Sequence, residues 1–239
     1  MSADALPSAA IADDLPALST WIVHLFGARA SLAFSLANED MVLLHALGVA
    51  AREVARELRP RVFVLDTGRL PDKSYRFLDS VREHLPTLHI DVFAPNADDL
   101  QRLYSAQGAY GFRASLAARQ ACCHARKVAP LARALDGQRA WVTGLRRAQS
   151  PTRSAIEIAS VDDNGRVKLA PLAKWSAEDV LDYLQRHGVP RHPLYAEGYT
   201  SIGCDPCTRA IQPGEPERAG RWWWESADSK ECGLHSQKS

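Results

Sequence analysis

The sequence lacks the features that mark membrane, secreted and nucleic-acid-binding proteins. It contains no run of 18 or more apolar residues, so no membrane helix is predicted. The start, Met1-Ser2-Ala3-Asp4, has neither the basic segment nor the apolar core of a secretory signal. Lys and Arg number 29 against 28 Asp and Glu, and a net charge of +1 gives no general attraction to nucleic acid or membranes. We therefore expect a cytoplasmic protein that binds neither.

Cysteine is also scarce, but its spacing is informative. Four of the five cysteines form two pairs, Cys122-Cys123 and Cys204-x-x-Cys207. Adjacent cysteines are poorly placed to bridge each other, because a relaxed disulfide needs its Cα atoms further apart. Two thiolates separated by two residues can converge on one metal centre. Zinc modules usually space both pairs by two to four residues, so an iron–sulfur cluster is favoured and structural zinc is the alternative.

The fifth cysteine, Cys232, stands alone near the C-terminus, with Lys230 and His235 close by in sequence. Nearby positive charge lowers the pKa of a thiol and increases its thiolate fraction. This predicts a reactive cysteine, and the alternative is an idle exposed thiol on a frayed tail.

The composition, 46% hydrophobic and 24% charged, is typical of a globular protein with a sizeable core. Strands are predicted at residues 31–36, 61–65, 88–93 and 140–144, with helices between them and a hairpin at 155–169. Cys122-Cys123 is predicted to open, or to precede, a helix that ends at Leu135. This alternation predicts an α/β fold with a mostly parallel sheet flanked by helices. We expect an α/β nucleotide-binding domain over residues 1–200, with the first cysteine pair, and an irregular C-terminal segment over residues 201–239, with the second pair and the Cys232 tail.

Ligands of such sheets bind at the carboxyl ends of the strands, and three predicted loops lie there. In the first, residues 35–40, the Ser35 hydroxyl and the backbone amides are candidate anion ligands at a helix N-terminus. In the second, residues 66–69, Asp66-Thr67-Gly68-Arg69 is placed to contact a ribose or a phosphate. In the third, residues 144–153, Arg146, Arg147 and Arg153 suit bidentate recognition of phosphate or sulfate.

A known family shares the joint pattern. The motifs are Leu65-Asp66-Thr67-Gly68-Arg69, Cys122-Cys123, Thr143-Gly144 with Arg146-Arg147 and Ser150, Ile202-Gly203-Cys204-x-x-Cys207-Thr208-Arg209, and Trp222-Trp223-Trp224 followed by Lys230-Glu231-Cys232-Gly233-Leu234-His235. Over roughly residues 30–236, this combination resembles the assimilatory adenylyl-sulfate reductases of the PAPS/APS reductase family. The resemblance implies an adenine-nucleotide α-hydrolase-like fold, related to ATP pyrophosphatases, and a 4Fe–4S cluster on Cys122, Cys123, Cys204 and Cys207.

The resemblance also implies a reaction and a set of substrate contacts. The Cys232 thiolate would attack the sulfur of adenylyl sulfate, AMP would leave, and thioredoxin would then release sulfite. The substrate-binding residues would be Ser35, Asp66, Thr67, Gly68, Arg69, Gly144, Arg146, Arg147 and Ser150, and the family equivalents Lys127, Arg218, Arg221 and His235.

One motif departs from the wider fold family. ATP pyrophosphatases carry a Ser-Gly-Gly-x-Asp-Ser loop, whereas this chain has Ser35-Leu36-Ala37-Asn38-Glu39-Asp40. The missing glycines argue against a pyrophosphate and for a smaller phosphosulfate.

Three alternatives stay open. The four cluster cysteines favour a substrate without a 3′-phosphate, but an enzyme that uses 3′-phosphoadenylyl sulfate, or both substrates, is not excluded. An ATP-dependent sulfur-inserting enzyme acting on RNA would share the fold, and so would a non-catalytic, metal-stabilised nucleotide sensor. The oligomeric state is also open, a homo-oligomer included.

Overall fold

The computed structural model describes residues 6–226, and within this range the chain forms one six-stranded sheet. Its strands are β1 (Ala30–Ala33), β2 (Arg61–Leu65), β3 (Ile90–Phe93), β4 (Ala140–Val142), β5 (Ala159–Val161) and β6 (Val167–Leu169). Their order is β3-β2-β1-β4-β6-β5, and every neighbouring pair is parallel except β5 with β6. The prediction of a mostly parallel sheet with a terminal hairpin is therefore confirmed.

Helices connect and cover the strands. They are α1 (Ala9–Ala12), α2 (Leu15–Phe26), α3 (Asn38–Ala50), α4 (Asp72–His84), α5 (Ala97–Gln107), α6 (Leu116–Cys123), α7 (Ala129–Ala134) and α8 (Ala177–Arg186). Local sequence explains several of their starts. Asp14 accepts a hydrogen bond from the Ala17 amide at the start of α2, and Ser176 and Asp179 form a reciprocal capping box at the start of α8.

Both faces of the sheet are buried, as a parallel sheet requires. Successive strand residues alternate between two apolar cores, so Val62 and Val64 lie in the main core and Phe63 in a smaller one. The main core includes residues of α2, α3, α4 and α8, whereas α7 packs with Phe63 and Trp141 on the opposite face. The carboxyl ends of β1, β2 and β4 are left facing the loops that the sequence predicts to bind ligand.

The first loop differs from its predicted form. Strand β1 ends at Ala33 rather than at residue 36, and helix α3 covers residues 38–50 rather than 41–58. The chain turns at Leu36, whose φ of 68° lies in the left-handed region that most residues avoid. Glu39 and Asp40 consequently belong to the first turn of α3, where negative charge interacts favourably with the positive end of the helix dipole.

The predicted position of the first cysteine pair is confirmed in one of its two forms, since the pair precedes the helical segment that ends at Ala134 with Leu135 as its C-cap. Cys122-Cys123 ends helix α6 and does not open a helix, because Ser115 caps α6 seven residues upstream of Cys122, with its side chain accepting the Ala118 amide. The chain then continues through one π-helical turn, His124–Val128, into α7. The pair thus lies inside one long helical stretch, next to a π-helical turn of the kind that is frequent at functional sites.

After Gly188 the described chain is irregular, with short 3₁₀ turns at Pro193–Glu197 and Asp205–Cys207. Backbone hydrogen bonds fasten it to the α/β body, including Asp205 N–H to the Arg69 carbonyl at 2.7 Å. The division into two domains at residue 200 stays a prediction. Cys232 and His235 lie outside the described residues. Among residues 6–226, no helix has the length and apolar character needed to cross a membrane.

Candidate active site

A cavity of about 190 Å³ lies at the carboxyl ends of β1, β2 and β4. Each of the three predicted loops contributes to its wall, through Ser35, Thr67 and Gly144. The C-terminal segment closes the other side with residues of 200–203 and 217–222. Apolar side chains from both cores, including Phe34, line the floor. An apolar floor with polar groups at the strand ends suits an adenine nucleotide.

The first and third loops meet at Asp40. Its carboxylate Oδ2 accepts hydrogen bonds from the Ser35 amide at 2.7 Å and from the Ser35 hydroxyl at 2.5 Å, and the Gly144 amide also donates to Asp40. Burial raises the pKa of Asp40 to about 6, although these hydrogen bonds lower it. The donors that the sequence assigns to a substrate anion are therefore already bonded to an internal carboxylate.

Gly144 is required for this contact. A Cβ at position 144 would lie 2.3 Å from Asp40 Oδ1 and 2.7 Å from the Glu39 Cβ. No side chain larger than hydrogen fits there unless α3 moves, so the glycine allows the loop after β4 to approach the first turn of α3.

Arg146 is buried behind this loop and holds two carboxylates. Its Nε donates to Glu39 Oε1 at 2.7 Å, and its Nη2 lies 3.1 Å from both oxygens of Glu217. Glu39 and Glu217 line the cavity, whereas Arg146 is absent from the cavity wall. We call Glu39, Asp40 and Glu217 the acidic rim. The structure thus places Arg146 in an ion-pair network rather than facing the cavity.

The remaining residues of the third loop do not share one location. Arg147 is exposed, and its Nε donates to the Ile156 carbonyl at 2.7 Å. Ser150 caps the 3₁₀ turn Pro151–Arg153 by accepting the Thr152 amide. Neither residue lies on the cavity wall, but Arg153 does, where its guanidinium donates to Gln149.

The 66–69 loop is split between two sites. Asp66 accepts the Gly68 amide and the Tyr75 hydroxyl, each at 2.8 Å, and Gly68 has a φ of 66°, which favours glycine. Thr67 is fully buried and lines the cavity. The Arg69 guanidinium points away from the cavity, towards aromatic rings beside the cysteines.

The structure brings Cys122, Cys123, Cys204 and Cys207 to one small pocket, which we call the cysteine pocket. None of the four is in a disulfide. Cys204 Sγ lies 3.2 Å from Thr67 Oγ1, so the pocket adjoins the second loop. Burial raises the pKa of Cys122, and it raises the pKa of Cys207 to about 11. The spatial meeting of the two pairs is what the sequence spacing predicts.

Positive charge surrounds this pocket. Among residues 6–226, five cationic side chains line it, namely Arg69, Arg119, Arg126, Lys127 and Arg221. Arg119 is 1% exposed, pairs with Glu225 at 2.6 Å and lies over the Trp222 ring. Three buried nitrogen atoms that find no hydrogen-bond partner among residues 6–226 also lie here: Nε of Arg126, Nε of Arg221 and Nε1 of Trp222. A pocket of thiols, cations and unused N–H donors suits a compact, negatively charged group.

Three residues belong to both sites. Lys127, Arg221 and Trp222 line the cavity and also line the cysteine pocket. Gly203 is pressed against the Arg221 guanidinium, because a Cβ there would lie 2.5 Å from it. Arg218 completes the cationic side of the cavity. The two sites are thus separated by a single layer of side chains.

Sequence reasoning missed Arg119 and Arg126, which lie four residues before Cys123 and four residues after Cys122. Helical spacing across the cysteine pair would have found them, because residues four apart share a face. The acidic rim was also missed, since Glu217 lies far from Glu39 in sequence.

Comparisons with known proteins agree with this site. Residues 29–210 match the family profile of the phosphoadenosine phosphosulfate reductase domain. The chain is 49% identical to an adenosine 5'-phosphosulfate reductase of Allochromatium vinosum over 208 residues, which cover 86% of this chain and 78% of that protein. It is 47% identical to the protein of the same name from Burkholderia cepacia, over 87% of this chain and 80% of the relative.

A solved structure supports the fold. The phosphoadenylyl-sulfate reductase of Candida auris, in a phosphate complex, superposes with a TM-score of 0.67 at 19% sequence identity. The match covers 83% of this chain and 90% of that one. At this identity the likeness shows a shared nucleotide-binding α/β fold.

Proposed function

The chain belongs to the phosphoadenosine phosphosulfate reductase domain family, and we propose that it reduces adenylyl sulfate to sulfite and AMP with thioredoxin as electron donor. It is an oxidoreductase that acts on sulfur, and its place is in assimilatory sulfate reduction. We place it in the cytoplasm, because unbridged cysteine pairs need a reducing compartment.

The adjacency of the two sites carries this proposal. A cavity shaped for an adenine nucleotide shares the wall of Lys127, Arg221 and Trp222 with the cysteine pocket. Arg153, Arg218, Arg221 and Lys127 give that cavity a cationic side for a phosphosulfate. Of the predicted contacts, Thr67 remains a proposed one, whereas Ser35 and Gly144 line the cavity with their donors bonded to Asp40.

The residues present fit a 4Fe–4S cluster. In the described part of the chain, no three or more His, Cys, Asp and Glu side chains form a site for a single metal ion. A cluster takes one thiolate on each iron, so its ligands need not converge on a point. Cys122, Cys123, Cys204 and Cys207 would hold it, and five cations would balance the charge of four thiolates. When bound, the cluster would supply a fixed negative centre beside the substrate cavity.

The proposed chemistry runs through Cys232, which lies outside the described residues. Its thiolate attacks the sulfate sulfur of the substrate, and the bond from that sulfur to the phosphate oxygen breaks, so AMP leaves with the electron pair. A thioredoxin thiolate then attacks the Cys232 sulfur, sulfite departs, and the second thioredoxin thiol closes the disulfide and restores Cys232. Two electrons pass from the dithiol to sulfur. His235 and the Cys232 tail stay predictions.

The test combines metal content with turnover. Anaerobically purified protein should contain about four iron and four sulfide per chain. Cys232→Ser should keep that iron and the binding of AMP but release no sulfite. Sulfite release by this variant at more than a small fraction of the wild-type rate would overturn the nucleophile assignment.

The remaining alternatives make different predictions. The family description names a 3′-phosphorylated substrate, whereas the relatives above are named for the unphosphorylated one. Comparing kcat/KM for the two decides between them, and equal or better use of the phosphorylated nucleotide would refute our choice. Zinc without sulfide would favour the nucleotide sensor, and ATP cleavage stimulated by RNA would favour the sulfur-inserting enzyme.

A further inference from the structure

Asp40 differs from the other carboxylates of the acidic rim in how its charge is balanced. Glu39 and Glu217 share the guanidinium of Arg146. The hydrogen-bond partners of Asp40 within residues 6–226 are all uncharged: the amide and hydroxyl of Ser35 and the amide of Gly144. Asp40 is only 3% exposed and lines the cavity. A buried charge beside a ligand cavity, without a cation in contact, acts on whatever binds there.

The donors on Asp40 are those that would hold an anion. Two backbone N–H groups, one on each strand-end loop, and one hydroxyl converge on a single carboxylate. Backbone N–H groups and hydroxyls that converge on one point are donors of the kind that hold phosphate and sulfate oxygens. In this chain, Asp40 accepts these hydrogen bonds in place of a ligand.

Cations also line the cavity. Lys127 and Arg221 belong to the layer shared with the cysteine pocket, and Arg218 follows Glu217 in the C-terminal segment. Two of the rim carboxylates are balanced by arginines: Arg146 pairs with Glu39 and Glu217, and Arg218 stabilises the charge of Glu217. Within residues 6–226, Asp40 is the rim carboxylate that is held by uncharged donors, so its negative charge is the one left to act on a bound anion.

We propose that Asp40 is a specificity-determining residue that rejects adenosine diphosphate in favour of adenylyl sulfate. The inference rests on the proposed function. The two nucleotides have nearly the same shape, but the terminal sulfate carries one negative charge and a fully ionised terminal phosphate carries two. Asp40 acts in two ways: it removes the donors that would bind a terminal phosphate, and its charge repels the more highly charged group.

The decisive measurement is the affinity for ADP relative to AMP at pH 8, where both Asp40 and the phosphates are ionised. Competition binding on cluster-loaded protein gives both dissociation constants for wild type, Asp40→Asn and Asp40→Ser. Asp40→Asn removes the charge and keeps the shape, whereas Asp40→Ser also frees the Ser35 donors. We expect the preference for ADP over AMP to rise about tenfold or more in Asp40→Ser and several-fold in Asp40→Asn.

Asp179→Ser is a matched control. Asp179 accepts the amide and hydroxyl of Ser176, each at 2.8 Å, so it makes the same pair of bonds as Asp40 at an exposed helix start away from the cavity. The ratio of its dissociation constants for ADP and AMP should equal that of the wild type. An unchanged ratio in Asp40→Asn, with AMP still bound, would overturn the inference and leave the proposed function intact. Failure of wild type to bind AMP at all would overturn both.

Discussion

The acidic rim and the cysteine pocket are close neighbours with opposite chemistry. At the rim, every carboxylate is bonded, either to Arg146 or to the donors around Asp40. In the cysteine pocket, cations surround thiols, and within residues 6–226 three buried N–H groups, Nε of Arg126, Nε of Arg221 and Nε1 of Trp222, have no hydrogen-bond partner. At the rim the described residues leave Nη1 of Arg146 without a partner, but the carboxylates are all bonded. Buried polar groups are normally satisfied, so three unused donors beside four thiols indicate that the pocket is built for an additional group.

Removing one pocket ligand should have the largest effect. Cys204→Ser replaces a thiolate with a poor iron ligand, so we expect most of the iron and sulfide to be lost and the unfolding temperature to fall. Iron and sulfide assays with thermal unfolding measure both. Cys232→Ser is the control and should keep its iron. A Cys204→Ser protein with a full iron complement would contradict the cysteine pocket as the cluster site.

Breaking the pocket's ion pair should have the next largest effect. Arg119→Met removes the guanidinium that pairs with the Glu225 carboxylate, whose side chain is only 10% exposed. Loss of one partner from a buried pair costs about 3–5 kcal/mol in the free energy of unfolding. Denaturant titration measures this, and the double variant Arg119→Met/Glu225→Gln should recover most of it. Equal destabilisation in the single and double variants would mean that packing against Trp222, and not the charge, is what Arg119 contributes.

At the rim, the close approach at Gly144 can be tested directly. Gly144→Ala inserts a methyl group between Asp40 and Glu39, so we expect a loss of about 1–3 kcal/mol in the free energy of unfolding and weaker AMP binding. Gly48→Ala, in helix α3 that also carries Glu39 and Asp40, is the control, because its Cβ would lie an ordinary 3.6 Å from Thr87. Its stability should stay the same or rise. Matching losses in both variants would show that Gly144 does not limit the packing at the rim.

The smallest expected effect is a pH dependence of the free energy of unfolding that comes from Asp40. The pKa of Asp40 in the folded protein, about 6, lies above its ordinary 3.8, so the folded state binds the proton more tightly than the unfolded chain. Stability therefore rises as pH falls from about 7 towards 4, and roughly 1 kcal/mol of that gain falls between pH 7 and 5. In urea titrations, the free energy of unfolding of the wild type, measured relative to that of Asp40→Asn, should rise by that amount between pH 7 and pH 5. A difference that stays constant between pH 5 and 7 would rule out Asp40 as a buried carboxylate of raised pKa.

Sequence reasoning predicted what depends on local pattern. The strand–helix alternation and the convergence of the two cysteine pairs could both be predicted from the sequence, because periodicity and spacing constrain them. The side-chain directions of Arg69 and Arg146 were not. Arg146 pairs with Glu217, 71 residues away, and Arg69 meets aromatic rings at 104–112. An arginine suits a phosphate and a buried carboxylate equally well, and only tertiary structure decides which it meets.

The π-helical turn at His124–Val128 separates α6 from α7 and changes the direction in which their side chains face. A π turn closes its hydrogen bonds over one residue more than an α turn, so it advances the helix face by about 100° without ending the helix. The part before it directs Cys122 to the pocket, and the part after it packs Ala134 against Phe63 and Trp141. Deleting one residue from this turn would leave a regular helix, yet it would rotate one of the two faces by about 100° away from the surface it packs against.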